Sequence, residues 1–260
     1  MSEPRSTALI TGASSGIGRD LARLFAADGH DLVLVARRED ALRTLAGDLA
    51  RQHRINAVAL AADLTRPDAP AHVVSGTSRA GVTIDVVVNN AGFGLHGPFA
   101  ELPLERQLDM IEVNVTALTA LTRLFLPAMR QRNRGGILNV ASTAAFQPGP
   151  LMAVYYATKA YVESFTEAIA EEVRGTSLRI SCLCPGPTTT EFADVAAIAD
   201  TNLFRGKTMT SMDVARIGYE GWKSGRVLVV PGLTNKLGVS LVRVSPRPIV
   251  RRIVKRLNGR

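Results

Sequence analysis

The stretch from Thr7 to Gly18 constrains this chain more tightly than any other. Thr7 to Ile10 is a short β-prone run, and Thr11-Gly12-Ala13-Ser14-Ser15-Gly16-Ile17-Gly18 follows it without a break. Ile17, Leu21, Leu24 and Phe25 then recur at helical spacing, so the order is strand, glycine turn, helix. Gly12 permits a sharp turn and Gly18 a close approach of helix to strand. Gly16 removes a side chain where a pyrophosphate would meet the N-terminus of the helix. A chain that opens this way predicts a nucleotide-binding α/β unit.

The following stretches repeat the alternation. A strand from Asp31 to Ala36 ends at Arg37-Arg38, about twenty residues past the glycines, where this architecture places an acid for a ribose hydroxyl or an Arg for a 2′-phosphate. No acid stands at either position, which favours NADP(H) over NAD(H); a solvated start to the helix near Glu39 is the plainer alternative. A helix through Leu42, Leu45 and Leu49 precedes a strand from Ala57 to Ala61, with Asp63 and Leu64 at its carboxyl end and Asp63 placed to receive an adenine amino group. Ile84 to Val88 is nearly continuous apolar sequence, as a buried parallel strand requires, and runs into Asn89-Asn90-Ala91-Gly92. Asn89 is either a brace for the backbone or a ligand contact. Two helices are expected between Leu104 and Arg132, with Asn114 among apolar neighbours. Gly135-Gly136 stops the second, and Ile137 to Val140 predicts a fifth strand that delivers Ser142 at its carboxyl end.

From Ser142 the chain passes through a Pro/Gly loop into a helix carrying Tyr155 and Lys159. Four residues is about one turn, so the two side chains share a face, with Cβ atoms roughly 5–6 Å apart. An ammonium ~5 Å from a phenol at an effective dielectric of ~20 favours the phenolate by ~3 kcal/mol, or about two pKa units. A lowered Tyr155 pKa, suited to acid and base work near neutral pH, is therefore expected, with Ser142 able to hydrogen-bond a carbonyl oxygen as it gains charge. A Tyr and Lys so spaced are also a common surface pair. Further on, Arg179 to Cys184 predicts a sixth strand, and Pro185-Gly186-Pro187-Thr188-Thr189-Thr190 a rigid, hydroxyl-rich turn that suits a nicotinamide carboxamide. Glu191 to Thr210 reads as a lid helix over an apolar pocket, Ser211 and Asp213 start another helix, and Arg226 to Val230 predicts the last strand.

The order and spacing of these motifs resemble the classical short-chain dehydrogenase/reductase family over residues 6–232. The Thr-Gly-x-x-x-Gly-x-Gly run is Thr11 to Gly18, Asn-Asn-Ala-Gly is Asn89 to Gly92, and Tyr-x-x-x-Lys is Tyr155 to Lys159, with the serine thirteen residues earlier at Ser142. Tyr156 lacks a Lys four residues on. The resemblance implies a Rossmann-type doubly wound parallel sheet of about seven strands with helices on both faces, in one catalytic domain over residues 1–235 with its lid at 191–210. It implies catalytic roles for Asn114, Ser142, Tyr155 and Lys159: Tyr155 as acid and base, Ser142 polarising the carbonyl, Lys159 tuning the phenol and holding the ribose, Asn114 anchoring a water. It also implies cofactor contacts at Gly12, Ser14, Ser15, Gly16, Ile17, Gly18, Arg37, Arg38, Asp63, Leu64, Asn89, Ala91, Gly92, Tyr155, Lys159, Pro185, Gly186, Thr188 and Thr190. The expected activity is NADP-dependent hydride transfer to or from an apolar ketone, aldehyde or secondary alcohol. A silent NADP(H)-binding regulator or scaffold is the alternative from another class.

Composition sets the remaining bounds. Apolar residues make up 46% of the chain and aromatics 5%, a balance suited to helices packed on a sheet, and no apolar run approaches the ~20 residues of a membrane span. Met1 to Arg5 lacks a signal-peptide core, so a soluble cytoplasmic protein is expected. Cys182 and Cys184 are too close for an ordinary disulfide and too few for a metal cage; they read as reduced core residues, and no metal is expected. The net charge of +8 belongs to the last stretch, where Lys236, Arg243, Arg247, Arg251, Arg252, Lys255, Arg256 and Arg260 meet no acid; the other basic residues balance the 23 acidic ones. Within this basic tail, residues 236–260, Ile249, Val250, Ile253, Val254 and Leu257 share one helical face. That face suits packing on the body or on a second subunit in a homo-oligomer, or peripheral contact with an anionic membrane. Nucleic acid is disfavoured because no aromatic residue is interleaved with the basic ones.

Overall fold

A computed structural model of the chain describes residues 5–206 and 208–259. In chain order the strands are β1 (Thr7–Thr11), β2 (Asp31–Ala36), β3 (Ala57–Ala61), β4 (Val86–Asn89), β5 (Gly136–Val140), β6 (Arg179–Leu183), β7 (Thr188–Thr189), β8 (Met209–Thr210) and β9 (Leu228–Val229). The helices are α1 (Gly16–Ala27), α2 (Glu39–His53), α3 (Ala69–Arg79), α4 (Leu104–Ile111), α5 (Leu118–Arg132), α6 (Ala153–Glu172), α7 (Phe192–Val195), α8 (Ser211–Lys223), α9 (Leu233–Val244) and α10 (Arg247–Asn258). Seven strands form one sheet in the order β3-β2-β1-β4-β5-β6-β9, every pair parallel.

Strand alternation explains why both faces are covered. Ala8, Ile10, Leu32, Leu34, Val86, Val88 and Leu138 point to the side occupied by Leu21 and Phe25 of α1, Leu42 and Leu49 of α2, and Tyr219 and Trp222 of α8. Their neighbours Leu9, Val33, Val35, Val87 and Ile137 point the other way, onto Val73 of α3, Leu121 and Met129 of α5, and Ile169 of α6. A strand apolar at every position therefore has two layers to bury itself in. The order reverses between β1 and β4: the chain runs outward through β2 and β3, then crosses back to the other side of β1. The carboxyl ends of β1 and β4 diverge there, which opens a crevice at that edge.

Several sequence expectations need correction. Leu104 to Arg132 is one helical run, in which α4 passes through a π-helical turn, Glu112–Ala117, into α5. The wider turn shifts the apolar stripe, which a periodicity reading takes for a break between two helices. The lid expected as a helix from Glu191 to Thr210 reduces, among the described residues, to the single turn of α7 followed by tight turns. Its order comes from outside: β7 pairs with β8 to clamp its two ends, and the amides of Asn202 and Leu203 donate to the carbonyls of Gly259 and Leu257. The strand expected over Arg226 to Val230 shortens to Leu228–Val229.

The last two helices fold back on the body. Val250 and Val254 of α10 are buried in the cluster that holds Tyr155, Tyr156 and Met152. The Asn258 side chain accepts from the Tyr156 hydroxyl at 3.1 Å and donates to the Pro150 carbonyl at 2.9 Å. Ile249 and Ile253, on the same apolar stripe, stay half exposed.

Gly18 sets the distance between α1 and β1. A Cβ there would lie 2.4 Å from the Gly12 carbonyl oxygen and 2.3 Å from the Asn90 amide nitrogen, and the first of these is backbone. Gly18→Ala is expected to lower unfolding free energy by about 2 kcal/mol, an overpacking cost, seen as a drop in the urea midpoint at unchanged m.

Candidate active site

A cleft of about 470 Å³ opens at the carboxyl edge of the sheet. Its floor is the turn between β1 and α1. Gly12 and Gly16 have φ of +65° and +53°, and a Cβ on Gly12 would lie 2.9 Å from the Ala91 Cα. Ser15, the N-cap of α1, makes no side-chain cap bond, so the first-turn amides face the cleft without a capping group. Thr11 ties this turn to the end of β4: its hydroxyl oxygen accepts from the amides of Asn90 and Ala91, each at 3.0 Å. The Asn90 side chain donates to the carbonyls of Thr11 and Gly12 at 2.9 and 3.3 Å. A glycine cradle at an uncapped helix N-terminus fits the pyrophosphate of a dinucleotide, and the donor set is of the right chemistry.

Of the two asparagines where β4 ends, Asn90 lines the cleft and Asn89, the last residue of the strand, does not. Asn89 was expected to contact cofactor. Instead it shares the strand face of Val87, and its buried amide donates to Thr122 and Asn139 under α5. The period of two places alternate residues on opposite faces, so this assignment was available from the pattern. Gly18 also lies behind the cleft, as a packing residue.

Ser14, Ser15, Ile17, Arg37, Arg38, Asp63, Leu64, Ala91 and Gly92 line the nucleotide end. Arg38 donates to the Ser14 hydroxyl at 3.2 Å and pairs with Glu191 at 2.9 Å, so it bridges the glycine turn and the start of the lid. Asp63 accepts from the Thr65 amide and hydroxyl at 3.1 and 3.0 Å, which holds its loop in a turn. At the opposite end Pro185, Gly186, Thr188 and Thr190 form the far wall, with Thr188 donating to the Gly186 carbonyl at 2.8 Å and the Thr190 methyl against Gly16.

Between these ends sit Ser142, Tyr155 and Lys159. Ser142 caps a short 3₁₀ turn, Thr143–Phe146: its hydroxyl oxygen accepts from the Ala144 amide at 3.1 Å and its O–H donates to the Pro185 carbonyl at 3.4 Å, beside the Tyr155 phenol. The Lys159 ammonium donates to the Val140 carbonyl, at the end of β5, at 2.8 Å, and lies 5.8 Å from the centre of the Tyr155 ring. All three side chains thus meet at the cleft. Their electrostatics differ from the sequence expectation. Burial pushes the Tyr155 phenol well above its ordinary pKa, with the neighbouring Ser142 hydroxyl offsetting only part, and burial lowers Lys159 to about 8. The spacing argument assumed a partly solvated pair, whereas here both side chains are buried and desolvation is the largest effect on each.

Asn114 sits in the π turn and holds the loop after β4. Its carbonyl oxygen accepts from the Phe93 amide at 3.1 Å, and its NH₂ donates to the Phe93 carbonyl and the Thr158 hydroxyl. Gly92 is the contact point, since a Cβ there would lie 2.9 Å from the Asn114 oxygen and 3.4 Å from the Lys159 nitrogen. Three of the four hydrogen bonds the Asn114 side chain can make are thus to protein.

Sequence reasoning missed most of the apolar wall: Phe93, Met152, Phe192, Ile198, Leu203, Phe204, Val254 and Leu257. The lid composition hinted at the middle members. Val254 and Leu257 come from α10, and only tertiary folding brings them here. Cys182 and Cys184 are free and buried in a separate cluster with Ala141, Val162 and Val230, their sulfurs 3.6 Å apart. No group of His, Cys, Asp and Glu suited to a metal ion exists among the described residues.

This constellation has known relatives. Residues 6–199 match the short chain dehydrogenase family, and the chain belongs to it. The chain is 36% identical over 178 residues to a very-long-chain 3-oxoacyl-CoA reductase of Laccaria bicolor, a match covering 68% of this chain and 53% of that one. The chain therefore spans about half the length of such curated relatives. Among solved structures it is similar to a short-chain dehydrogenase of Sphingobium yanoikuyae in complex with NADPH, at TM-score 0.81 and 32% identity, covering 93% of this chain and 97% of that one. It is also similar to a short-chain dehydrogenase/reductase of Burkholderia phymatum in complex with NAD, at TM-score 0.80 and 26% identity, covering 93% and 94%.

The depressed Lys159 has a measurable consequence. Above pH 8 the folded protein has shed this proton while the unfolded chain still holds it, so raising pH favours folding. Relative to Lys159→Met, the wild type is expected to gain about 2 kcal/mol of stability between about pH 8 and pH 10, read from urea titrations at each pH.

Proposed function

We propose that this chain is an NADP-dependent oxidoreductase that transfers hydride between the nicotinamide and an apolar ketone or aldehyde, or the corresponding alcohol in reverse. The observation that carries this reading is the convergence of the Ser142 hydroxyl, the Tyr155 phenol and the Lys159 ammonium on one apolar-walled cleft, with the ammonium 5.8 Å from the centre of the phenol ring. A binding protein has no use for a phenol so placed.

The glycine turn and the α1 N-terminus would hold the pyrophosphate, Arg37 and Arg38 the 2′-phosphate, Asp63 the adenine amino group, and Lys159 the ribose hydroxyls. Thr188 and Thr190 would meet the carboxamide. The bound nicotinamide supplies or accepts the hydride. Everything else falls to the chain. The Ser142 hydroxyl donates a hydrogen bond to the substrate oxygen as it gains negative charge, and the Tyr155 O–H gives that oxygen its proton. A phenol held protonated across the neutral range is ready to donate, which favours reduction; oxidation of an alcohol requires the same phenol to lose its proton first. Rates of oxidation should therefore climb with pH. The walls of Phe93, Phe192, Leu203, Phe204 and Val254 select an apolar substrate and exclude water. A long 3-oxoacyl chain, the class named for the Laccaria relative, falls within that description.

Tyr155→Phe is expected to cut kcat for NADPH-dependent reduction by roughly a thousandfold while NADPH binding, followed by fluorescence, stays within about twofold. Wild-type protein that binds NADPH but reduces no member of a broad ketone and aldehyde panel would instead be a silent cofactor-binding protein. Arg38→Ala should weaken NADPH binding about tenfold and leave NADH binding unchanged. Equal loss for both cofactors would count against the 2′-phosphate role.

A further inference from the structure

The outer faces of α9 and α10 carry apolar side chains that no described residue covers. Leu233, Leu237, Leu241 and Val244 are 73%, 56%, 62% and 80% exposed. At 100° per residue they fall within an arc of about 80° on α9, a continuous stripe. Ile249 and Ile253 add a half-exposed edge on α10. Between Leu233 and Gly259 the chain carries seven Lys and Arg residues and neither Asp nor Glu. An exposed stripe of this length rimmed by one sign of charge marks a contact surface.

The inner side of the same helix closes the substrate end of the cleft. Val254 and Leu257 line it, the Leu203 amide donates to the Leu257 carbonyl at 2.9 Å, and Asn258 holds the Tyr156 hydroxyl. A single helix therefore has one side on the pocket and one side on the surroundings.

We propose that the α9–α10 face docks on an anionic lipid bilayer and that the pocket draws its apolar substrate from that bilayer past α10. The second half rests on the oxidoreductase reading above. Charge complementarity decides the occupant: headgroups of an anionic leaflet meet the cations while the leucines enter the acyl boundary. A second copy seated by a two-fold axis would bring the cations of this face against one another, Arg243 excepted, whose guanidinium lies over the Phe146 ring. A nucleic acid would find no aromatic residue on this face to stack on, and would leave the leucine stripe in water.

Flotation of the full chain with vesicles of phosphatidylcholine and about one third phosphatidylglycerol, against phosphatidylcholine alone, tests the docking. Wild type is expected to float with the anionic vesicles at least tenfold more than with the neutral ones, and to be released by high salt. The double variant Leu237→Asp, Leu241→Asp is expected to lose at least tenfold of this binding, with unchanged melting temperature and unchanged reduction of a small water-soluble ketone in vesicle-free buffer. Failure of wild type to float, or flotation of the double variant at the wild-type level, overturns the proposal. So does a wild-type dimer, by light scattering, that the double variant converts to monomer without any vesicle binding. Flotation involves no turnover, so its failure leaves the Tyr155 chemistry to be judged by its own test. If docking holds, adding anionic vesicles should lower the apparent KM for a lipid-soluble ketone in wild type and not in the double variant; equal values would overturn the delivery step.

Discussion

The site depends on where the fold puts one buried cation. Lys159 is an ammonium with almost no access to water, and it donates to the Val140 carbonyl at the very end of β5. Desolvation alone would push such a group toward neutrality, and it has moved part of that way. The arrangement holds because β5 and α6 are rigid and because Ser142, two residues past Val140, is committed to its own cap. Lys159, Tyr155 and Ser142 are thus set by two elements whose relative position the whole sheet determines.

The sheet matters for the same reason. Seven parallel strands bring every carboxyl end to one edge, so the glycine turn, the β3 loop with Asp63, the β4 loop and Ser142 need no special device to converge. Reversal of strand order between β1 and β4 then leaves room between those loops. Thr11 and Asn90 stitch the two sides of this gap with four hydrogen bonds between side chain and backbone. The nucleotide end is preorganised by these ties. The substrate end is assembled differently, from a loop with little structure of its own and a helix far off in sequence that pins it.

Much of this was legible because the signals are local. The glycine turn, the strand lengths, the order of motifs and the Tyr155–Lys159 spacing all depend on neighbours within a few residues. The misreadings came from non-local causes. The π turn around Asn114 looks like a helix break until both halves are seen to continue; Asn89 looked like a ligand contact until its strand face was known. Tyr155 was expected to be acidified by Lys159, and in the structure its own burial raises the phenol instead.

By itself the sequence settled the fold class and which loops gather at the carboxyl edge, since period-two and period-3.6 patterns and glycine turns are written in adjacent residues. Tertiary structure alone decided that α10 walls the cleft through Val254 and Leu257, that Asn258 reaches Tyr156, and that the phenol is raised rather than lowered. Each of these is a matter of which surfaces exclude water from one another, and desolvation belongs to the packed chain, not to any stretch of it.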